Sequence, residues 1–285
     1  MTWPNFFIIG VSKAGTTSLY NYLNETENIF LIPKGKIHYF FPEEFNNDSN
    51  KEEYLSLVKN VKHEKAIGEY AGYLEIMESP KLIKETIPNA KIIISLRDPV
   101  ERAFSHYLGT LRSHNETLSF DKAFEEFMNP VNVESNFYKR YIKGSLYHEK
   151  LKRVLDIFGE ENVLIIIFEE FIKEPKNEFK KVIEFLEIDS EIPEIVGKKF
   201  NTYAEPLGNV GTNIVKNKII KKVSKKILSK ETRIGLLRFL TNKNKEKPAL
   251  TIKQKHILEN FFLQDSKQTE KLLGKKLPWR LLLKS

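Results

Sequence analysis

The chain lacks cysteine, and it lacks any apolar run long enough to cross a membrane. Zero cysteines among 285 residues exclude disulfides, thiolate metal ligands and cysteine nucleophiles. No apolar stretch approaches the ~18 residues of a membrane-spanning helix. The N-terminus has no basic region before its first apolar run, which argues against a secretion signal. We therefore expect a cytoplasmic protein without a transmembrane segment.

Acidic residues are scarce in the last third of the chain. From Gly197 onward there are 22 Lys and Arg against 6 Asp and Glu, a net charge of +16, whereas the preceding residues carry −8. The positive charge is densest between Lys216 and Lys247. Such a segment predicts contact with an anionic surface or polymer, although a solvated, lysine-rich helical surface explains it equally well.

The stretch FFIIGVSKAGTTSL, residues 6–19, organises the rest of the chain. Its apolar run Phe6–Ile9 ends at a glycine, which is typical of a central parallel strand. The hydroxyl residues Thr16–Ser18 stand where a helical period begins. The start of a helix attracts phosphate through its unpaired N–H groups and its dipole. The stretch therefore predicts a phosphate-binding loop between a strand and a helix.

The details of this loop differ from those of an ATP- or GTP-binding loop. Gly10 and Gly15 have the spacing of a Walker motif, but Thr16 stands where that motif has lysine, and the lysine lies earlier, at Lys13. A glycine-rich loop that merely turns the chain is the structural alternative.

Strands and helices alternate along the chain, which predicts an α/β fold with a doubly wound parallel sheet. Further strands are predicted at 66–70, 91–96 and 162–168, and helices at 80–86, 120–128, 144–158, 179–186, 214–228, 232–240 and 251–273. We expect one domain spanning residues 1–285, with a core at 1–196 and a basic loop and C-terminal helical appendage at 197–285.

A second motif follows the strand at 91–96. Arg97 ends this strand, Asp98 can cap the next helix, and Ser105 comes eight residues after the arginine. Ligands of open α/β sheets bind beyond the carboxyl ends of the strands, so we expect Arg97 and the Lys13 loop at the same edge. Arg97 and Ser105 suit one phosphate. By itself the motif would be more typical of a structural Arg–Asp pair.

The two motifs together resemble those of a known family. K-A-G-T-T-S at Lys13–Ser18 resembles the 5′-phosphosulfate loop of sulfotransferases that use PAPS, 3′-phosphoadenosine 5′-phosphosulfate. R-D-P-x-x-R-A-x-S-x-Y at 97–107 resembles their 3′-phosphate motif. The segments Tyr141–Tyr147 and Val163–Phe171 are similar to the bacterial and heparan-modifying branch of the family. The resemblance covers about Asn5 to Leu186.

The resemblance implies an EC 2.8.2 enzyme that transfers a sulfonate from PAPS to a hydroxyl or amine, releases PAP and needs no metal. It assigns the 5′-phosphate and sulfonate to Lys13, Ala14, Gly15, Thr16, Thr17 and Ser18, and the 3′-phosphate to Arg97 and Ser105. Lys13 would also stabilise charge on the leaving phosphate oxygen.

The residue that accepts the proton is where the chain departs from the family pattern. Many members have a glutamate in a K-E-x-H-F-F-like segment, whereas this chain reads G-K-I-H-Y-F at 35–40, with Lys36 in the place of the acid. His38 is the favoured candidate base, Glu69 is the second, and another group is the remaining alternative. His38 is also consistent with a packed, hydrogen-bonded histidine, and Lys36 with binding of sulfonate or an acidic acceptor.

Aromatic residues near these candidates predict an acceptor-binding cleft. Tyr39, Phe40, Tyr70 and Tyr73 would suit a sterol, phenol or lipid hydroxyl, and equally a carbohydrate. Ordinary core packing is the alternative for about half of them. The loop 198–209 lacks an obvious basic phosphate clamp, although Lys198, Lys199 or Tyr203 could cover a nucleotide.

Two other functions fit parts of the sequence. A nucleoside or small-molecule kinase with an atypical P-loop would use the same glycine loop, but it would need the missing lysine and magnesium. A nonenzymatic anion-binding module would use the basic segment Lys216–Lys247, and its polymer binding would not depend on Lys13.

Overall fold

The computed structural model describes residues 2–112, 118–128, 134–198, 200 and 249–283. These residues divide into two units. The first contains the described residues within 1–103, 142–201 and 256–285, and the second contains those within 104–141 and 202–255. The prediction of a single domain with a core at 1–196 stays a prediction.

A parallel sheet forms the centre of the first unit. Its strands in the described part of the chain are β1 Phe6–Gly10, β2 Ile29–Leu31, β3 Ala66–Tyr70, β4 Lys91–Leu96 and β5 Val163–Ile167. They lie in the order β2-β3-β1-β4-β5, and every neighbouring pair is parallel. Both faces are covered by other elements, which explains the nearly continuous apolar runs. The predicted α/β class with a parallel sheet is confirmed.

Helices connect and flank the strands. Within the described residues they are α1 Thr16–Asn24, α2 Asp48–Ser56, α3 Ser79–Thr86, α4 Pro99–Arg112, α5 Phe120–Met128, α6 His148–Phe158, α7 Phe168–Lys173, α8 Pro175–Phe185, α9 Ile252–Leu273 and α10 Arg280–Leu283. None of them combines the length and the apolar character that crossing a membrane requires.

Side chains of β1 alternate between two packed faces of the sheet. Phe6 and Ile8 belong to a buried cluster that also contains Leu23 of α1 and Phe179 of α8. Phe7 points to the other face, where its ring meets other aromatic rings, those of Phe40 and Tyr73. Because β1 lies between β3 and β4, its carboxyl end is the natural position for a ligand site.

The second unit has an aromatic core of its own. The rings that pack there are Phe104, Tyr107, Phe120, Phe124, Phe127, Phe137 and Tyr141. Thr251 and Gln254 form the predicted capping box, since the Thr251 N–H donates to Gln254 Oε1 (2.9 Å) and the Gln254 N–H to Thr251 Oγ1 (3.2 Å).

Several element boundaries differ from the sequence prediction. The predicted helix at 144–158 begins only at His148, because Lys143–Ser145 forms a 3-10 turn. Phe168, predicted as the end of a strand, instead begins α7, and the helix predicted from 179 already begins at Pro175, where proline suits the first turn. The predicted helices at 214–228 and 232–240, and the segment Lys216–Lys247, lie outside the described residues.

Close packing of the sheet sets a size limit at Gly68. This residue lies opposite Phe6 of β1 and Leu31 of β2. A Cβ atom at Gly68 would come within 2.1 Å of Phe6 Cζ and 2.6 Å of Leu31 Cδ2. We expect Gly68→Ala to lower the free energy of unfolding by about 1–3 kcal/mol, because the added methyl forces both side chains to move.

The measurement is urea denaturation, with Gly72→Ala as the matched control. A Cβ atom at Gly72 meets nothing within 4 Å, and its φ of −84° suits any residue. The control should therefore change stability by less than about 0.5 kcal/mol. Equal stability of the two variants would contradict this account of the sheet.

Candidate functional site

The loop between β1 and α1 is held by the end of β4. Ser95 Oγ donates to the carbonyl of Ala14, and Arg97 Nη1 donates to the carbonyl of Lys13 (3.1 Å). The N–H groups of Gly15, Thr16 and Thr17 donate to no acceptor among the described residues. The loop thus has its carbonyls bound by protein donors, while three N–H groups at the start of α1 stay available to an anion.

Gly15 is required at its position for two reasons. Its φ of +83° lies in the left-handed region. A Cβ atom there would also come within 2.7 Å of Cδ2 of Phe168, the first residue of α7. The Phe168 ring in turn contacts the Arg97 guanidinium, whose carbon lies 4.9 Å from the ring centroid. Phe168 therefore packs against both predicted phosphate-binding segments, a role that sequence reasoning missed.

Tyr147 and two C-terminal residues, Trp279 and Arg280, hold the segment Arg97–Asp98 in place. Tyr147 donates its hydroxyl to the Arg97 carbonyl (2.8 Å), and its ring packs on the fully buried Trp279, with centroids 5.5 Å apart. Burial raises the pKa of Tyr147, so the phenol keeps its proton and remains a donor. The N–H of Arg280 donates to Asp98 Oδ2 (3.1 Å).

Asp98 caps α4 as predicted. Its Oδ1 accepts from the N–H groups of Val100 (3.0 Å) and Glu101 (3.2 Å). Burial raises the pKa of this carboxyl, and the N–H donors oppose that rise. Arg97 Nη2 lies 3.8 Å from a carboxylate oxygen of Glu101, whose side chain is half-exposed. This ion pair is therefore weak, and the guanidinium can also bind another anion. Ser105 belongs to the second unit, and its share in binding a phosphate stays a prediction.

The two candidate bases, His38 and Glu69, are in direct contact. Glu69 is 1% exposed, and its Oε1 lies 2.8 Å from His38 Nδ1. The same oxygen accepts from the Tyr73 hydroxyl (2.7 Å), and Oε2 accepts from the Tyr54 hydroxyl. Three donors thus satisfy a buried carboxylate, which would otherwise be strongly destabilising.

This arrangement assigns the protons of His38. An ionised carboxylate only accepts hydrogen bonds, so Nδ1 must carry the proton and Nε2 of the neutral ring has the lone pair. Nε2 has no hydrogen-bond partner within the described ranges, and the side chain is 30% exposed. His38 therefore presents a basic nitrogen to solvent, whereas both oxygens of Glu69 are occupied.

The tyrosines around Glu69 are held in their protonated form. Burial, and next the negative charge of Glu69, raise the pKa of Tyr54 and of Tyr73 well above the usual value. Tyr54 had not been singled out by the sequence, because its position in a polar helix 15 residues before Glu69 gives no sign of this contact.

The predicted acceptor-binding residues fall into two groups. Tyr39, Phe40 and Tyr73 are buried in the aromatic packing around Glu69. Tyr70 is half-buried, with its hydroxyl 3.2 Å from Thr16 Oγ1, and Lys36 is exposed. Contact of these residues with an acceptor stays a prediction.

In the described part of the loop after residue 196, Lys198 and Phe200 contact Tyr22 of α1. Tyr22 donates its hydroxyl to the Lys198 carbonyl (2.7 Å), and the Phe200 ring packs against the Tyr22 ring. Lys199 and Tyr203, which were predicted to cover a nucleotide, lie outside the described residues.

Comparison with known proteins gives a family match. A model of the sulfotransferase domain matches residues 4–269. A sulfotransferase structure from Alicyclobacillus acidocaldarius is similar over 97% of this chain and 98% of that chain, with 27% identity and a TM-score of 0.68.

Two curated relatives match part of the chain. The membrane-associated sulfotransferase kil1 of Dictyostelium discoideum is 30% identical over 152 residues, 52% of this chain and 31% of the relative. The heparan sulfate glucosamine 3-O-sulfotransferase 5 of Mus musculus is 28% identical over 199 residues, 66% of this chain and 55% of the relative. The matches thus span about a third and about half of these relatives.

The buried carboxylate allows a test of the site geometry. Tyr54→Phe removes one of three donors to Glu69, and we expect it to lower the free energy of unfolding by about 1.5–3 kcal/mol, the usual range for a hydrogen bond to a charged group. Tyr39→Phe is the matched control, because Tyr39 is also buried in this cluster but its hydroxyl has no partner among the described residues. Equal unfolding midpoints in urea for the two variants would contradict the assignment.

Proposed function

Because this chain belongs to the sulfotransferase family, as the match over residues 4–269 shows, we propose that it transfers a sulfonate group from PAPS to an acceptor hydroxyl. One observation carries the proposal. Three loop N–H groups with no protein acceptor in the described residues stand beside Arg97, at the same edge of the sheet as the His38–Glu69 pair.

The part of the proposed site that binds PAPS combines backbone N–H groups with positively charged side chains. The N–H groups of Gly15, Thr16 and Thr17 suit the 5′-phosphate and sulfonate oxygens, and the dipole of α1 adds to their attraction. Lys13 supplies positive charge for the oxygen that leaves with the nucleotide. Arg97, already oriented by Lys13 and Phe168, supplies a guanidinium for the 3′-phosphate.

His38 is the general base of the proposed reaction, and Glu69 positions it. His38 Nε2 takes the proton of the acceptor hydroxyl while the acceptor oxygen forms a bond to sulfur and the bond from sulfur to the phosphate oxygen breaks. Glu69 holds Nδ1–H, which keeps the lone pair on Nε2 and stabilises the imidazolium that forms. Glu69 is not the base in this proposal, because its oxygens are buried and already accept three hydrogen bonds.

A carbohydrate is the acceptor class that the comparisons favour. One relative is named as a sulfotransferase of heparan sulfate glucosamine. Exposed Lys36 near the proposed base suits an acceptor rich in polar groups. The buried positions of Tyr39, Phe40 and Tyr73 leave fewer aromatic faces for a sterol or phenol than the sequence alone implies.

A transfer assay tests the reaction class. We expect radiolabelled PAPS to label a carbohydrate acceptor in the presence of EDTA, because the proposed charge stabilisation comes from protein groups and requires no magnesium. Sterol and phenol acceptors complete the panel, and ATP with magnesium tests the kinase alternative. Lys13→Ala should reduce transfer by about 10²–10³-fold, while Lys81→Ala, which removes an exposed lysine of α3, should not.

Phosphoryl transfer from ATP, or full sulfonate transfer by Lys13→Ala, would overturn the proposal. Polymer binding by both lysine variants without any transfer would favour the anion-binding module instead.

Substitutions in the His38–Glu69 pair test which residue is the base. We expect His38→Asn to lower kcat by about 10²–10⁴-fold with little change in the Kd for PAP. Glu69→Gln should also lower kcat, because an amide can donate to Nδ1 and would shift the ring proton to Nε2. Steady-state kinetics and PAP titration check both variants, with Lys36→Gln for comparison. Near-normal kcat in His38→Asn would exclude His38 as the base.

A further inference from the structure

Lys34 combines positive charge with an unusual environment at the ligand-binding edge of the sheet. Its Nζ lies 3.9 Å from the centroid of the Tyr20 ring and 5.0 Å from that of Tyr70. The centroids of the two rings lie 5.9 Å apart, with an interplanar angle of 52°, and the ammonium contacts both rings. Partial burial lowers the pKa of Lys34.

No carboxylate among the described residues lies within ion-pair distance of this ammonium. Lys34 is exposed, whereas Lys91 and Lys150, whose side chains are largely covered, each have a glutamate oxygen at 2.7 Å. Aromatic faces attract a cation but leave its N–H donors without hydrogen-bond acceptors. Lys34 is therefore a partly desolvated cation whose remaining donors suit an anion from outside the protein.

The topology places Lys34 near the proposed reaction centre. Lys34 follows β2, Tyr70 ends β3, and the loop before Thr16 follows β1, so three adjacent parallel strands bring them to one edge. The Tyr70 hydroxyl contacts Thr16 Oγ1, while the Tyr70 ring contacts the Lys34 ammonium. The Tyr70 ring thus lies between Lys34 and the loop before Thr16. Lys34 therefore lies beside the proposed PAPS site and not within it.

We propose that Lys34 binds a carboxylate or sulfate group of the acceptor and thereby selects an acidic carbohydrate. The proposal rests on the proposed sulfotransferase function and adds to it the charge of the acceptor. Lys36, two residues along the same loop and also exposed without an acidic partner in the described segments, adds to the positive field. The anion could instead come from PAPS, and the experiment separates these sources.

The test compares a glucuronic acid-containing oligosaccharide with the same oligosaccharide after reduction of its carboxyl groups. We expect the wild-type protein to prefer the acidic acceptor in kcat/KM by about 10- to 100-fold, the effect of one charge-assisted hydrogen bond. Lys34→Gln should bring this ratio close to one, and Lys34→Arg should restore most of it. The KM for PAPS and the Kd for PAP should stay within about twofold of wild type.

Lys84→Gln is the matched control. Its ammonium also lies over an aromatic ring, 5.7 Å from the centroid of Phe158, but Lys84 lies in α3, before the amino end of β4. Removal of this charge should leave the preference for the acidic acceptor unchanged. Thermal unfolding of all three variants confirms that each is folded.

Two outcomes would overturn the proposal. One is a preference for the acidic acceptor that persists in Lys34→Gln. The other is a rise in the Kd for PAP with unchanged acceptor preference, which would assign Lys34 to the donor. Equilibrium binding of the two oligosaccharides to the PAP-bound protein decides the question without turnover. A Lys34-dependent preference there would support the inference even if transfer to both were absent, in which case the proposed function would be at fault.

Discussion

The hydrogen bonds from the end of β4 to the loop after β1 are the interaction on which the candidate site depends. Ser95 and Arg97 occupy the carbonyls of Ala14 and Lys13. With those acceptors engaged, the backbone at the start of α1 presents N–H donors, which favours an anion as the ligand. The same contact fixes Arg97 relative to the loop, so one interaction both shapes the phosphate-binding backbone and orients a guanidinium.

The surroundings of Glu69 follow a different physical rule. A carboxylate that is almost fully buried must be compensated, and Glu69 is compensated by two phenols and an imidazole. The hydrogen bond between Nδ1 and the carboxylate places a proton on the side of the ring that faces the protein. Packing that stabilises the carboxylate therefore also orients the His38 ring, so the stability of this region and the orientation of the exposed nitrogen arise from the same hydrogen bonds.

Sequence patterns predicted the parts of the molecule that depend on neighbouring residues. The strands at β3 and β4, the cap at Asp98 and the capping box at Thr251 follow from local periodicity or from side chains three residues apart, and the structure confirms them. The three-residue strand β2 is too short to show a pattern.

Contacts between distant residues were beyond such reasoning. Tyr54 and Phe168 are ordinary apolar positions in their own segments, and they gain their roles only because the fold brings them to Glu69 and to Gly15. The sequence favours His38 over Glu69 as the base, but for the same reason it gives no sign that the two side chains meet. His38 lies in the loop after β2 and Glu69 lies in β3. Because β2 and β3 are adjacent strands, the two side chains form one hydrogen-bonded pair.

The anchoring of Arg97 by Tyr147 and Trp279 has a consequence for biosynthesis. The loop and the strand end that bind the nucleotide in our proposal are made early, but Arg280, which donates to Asp98, follows it by 182 residues. A growing chain therefore carries both motifs long before Trp279, which packs on Tyr147, and Arg280, which donates to Asp98, have been synthesised. Nucleotide affinity should consequently mature only after Trp279 and Arg280 have packed against Tyr147 and Asp98, and not as soon as the two motifs have been made.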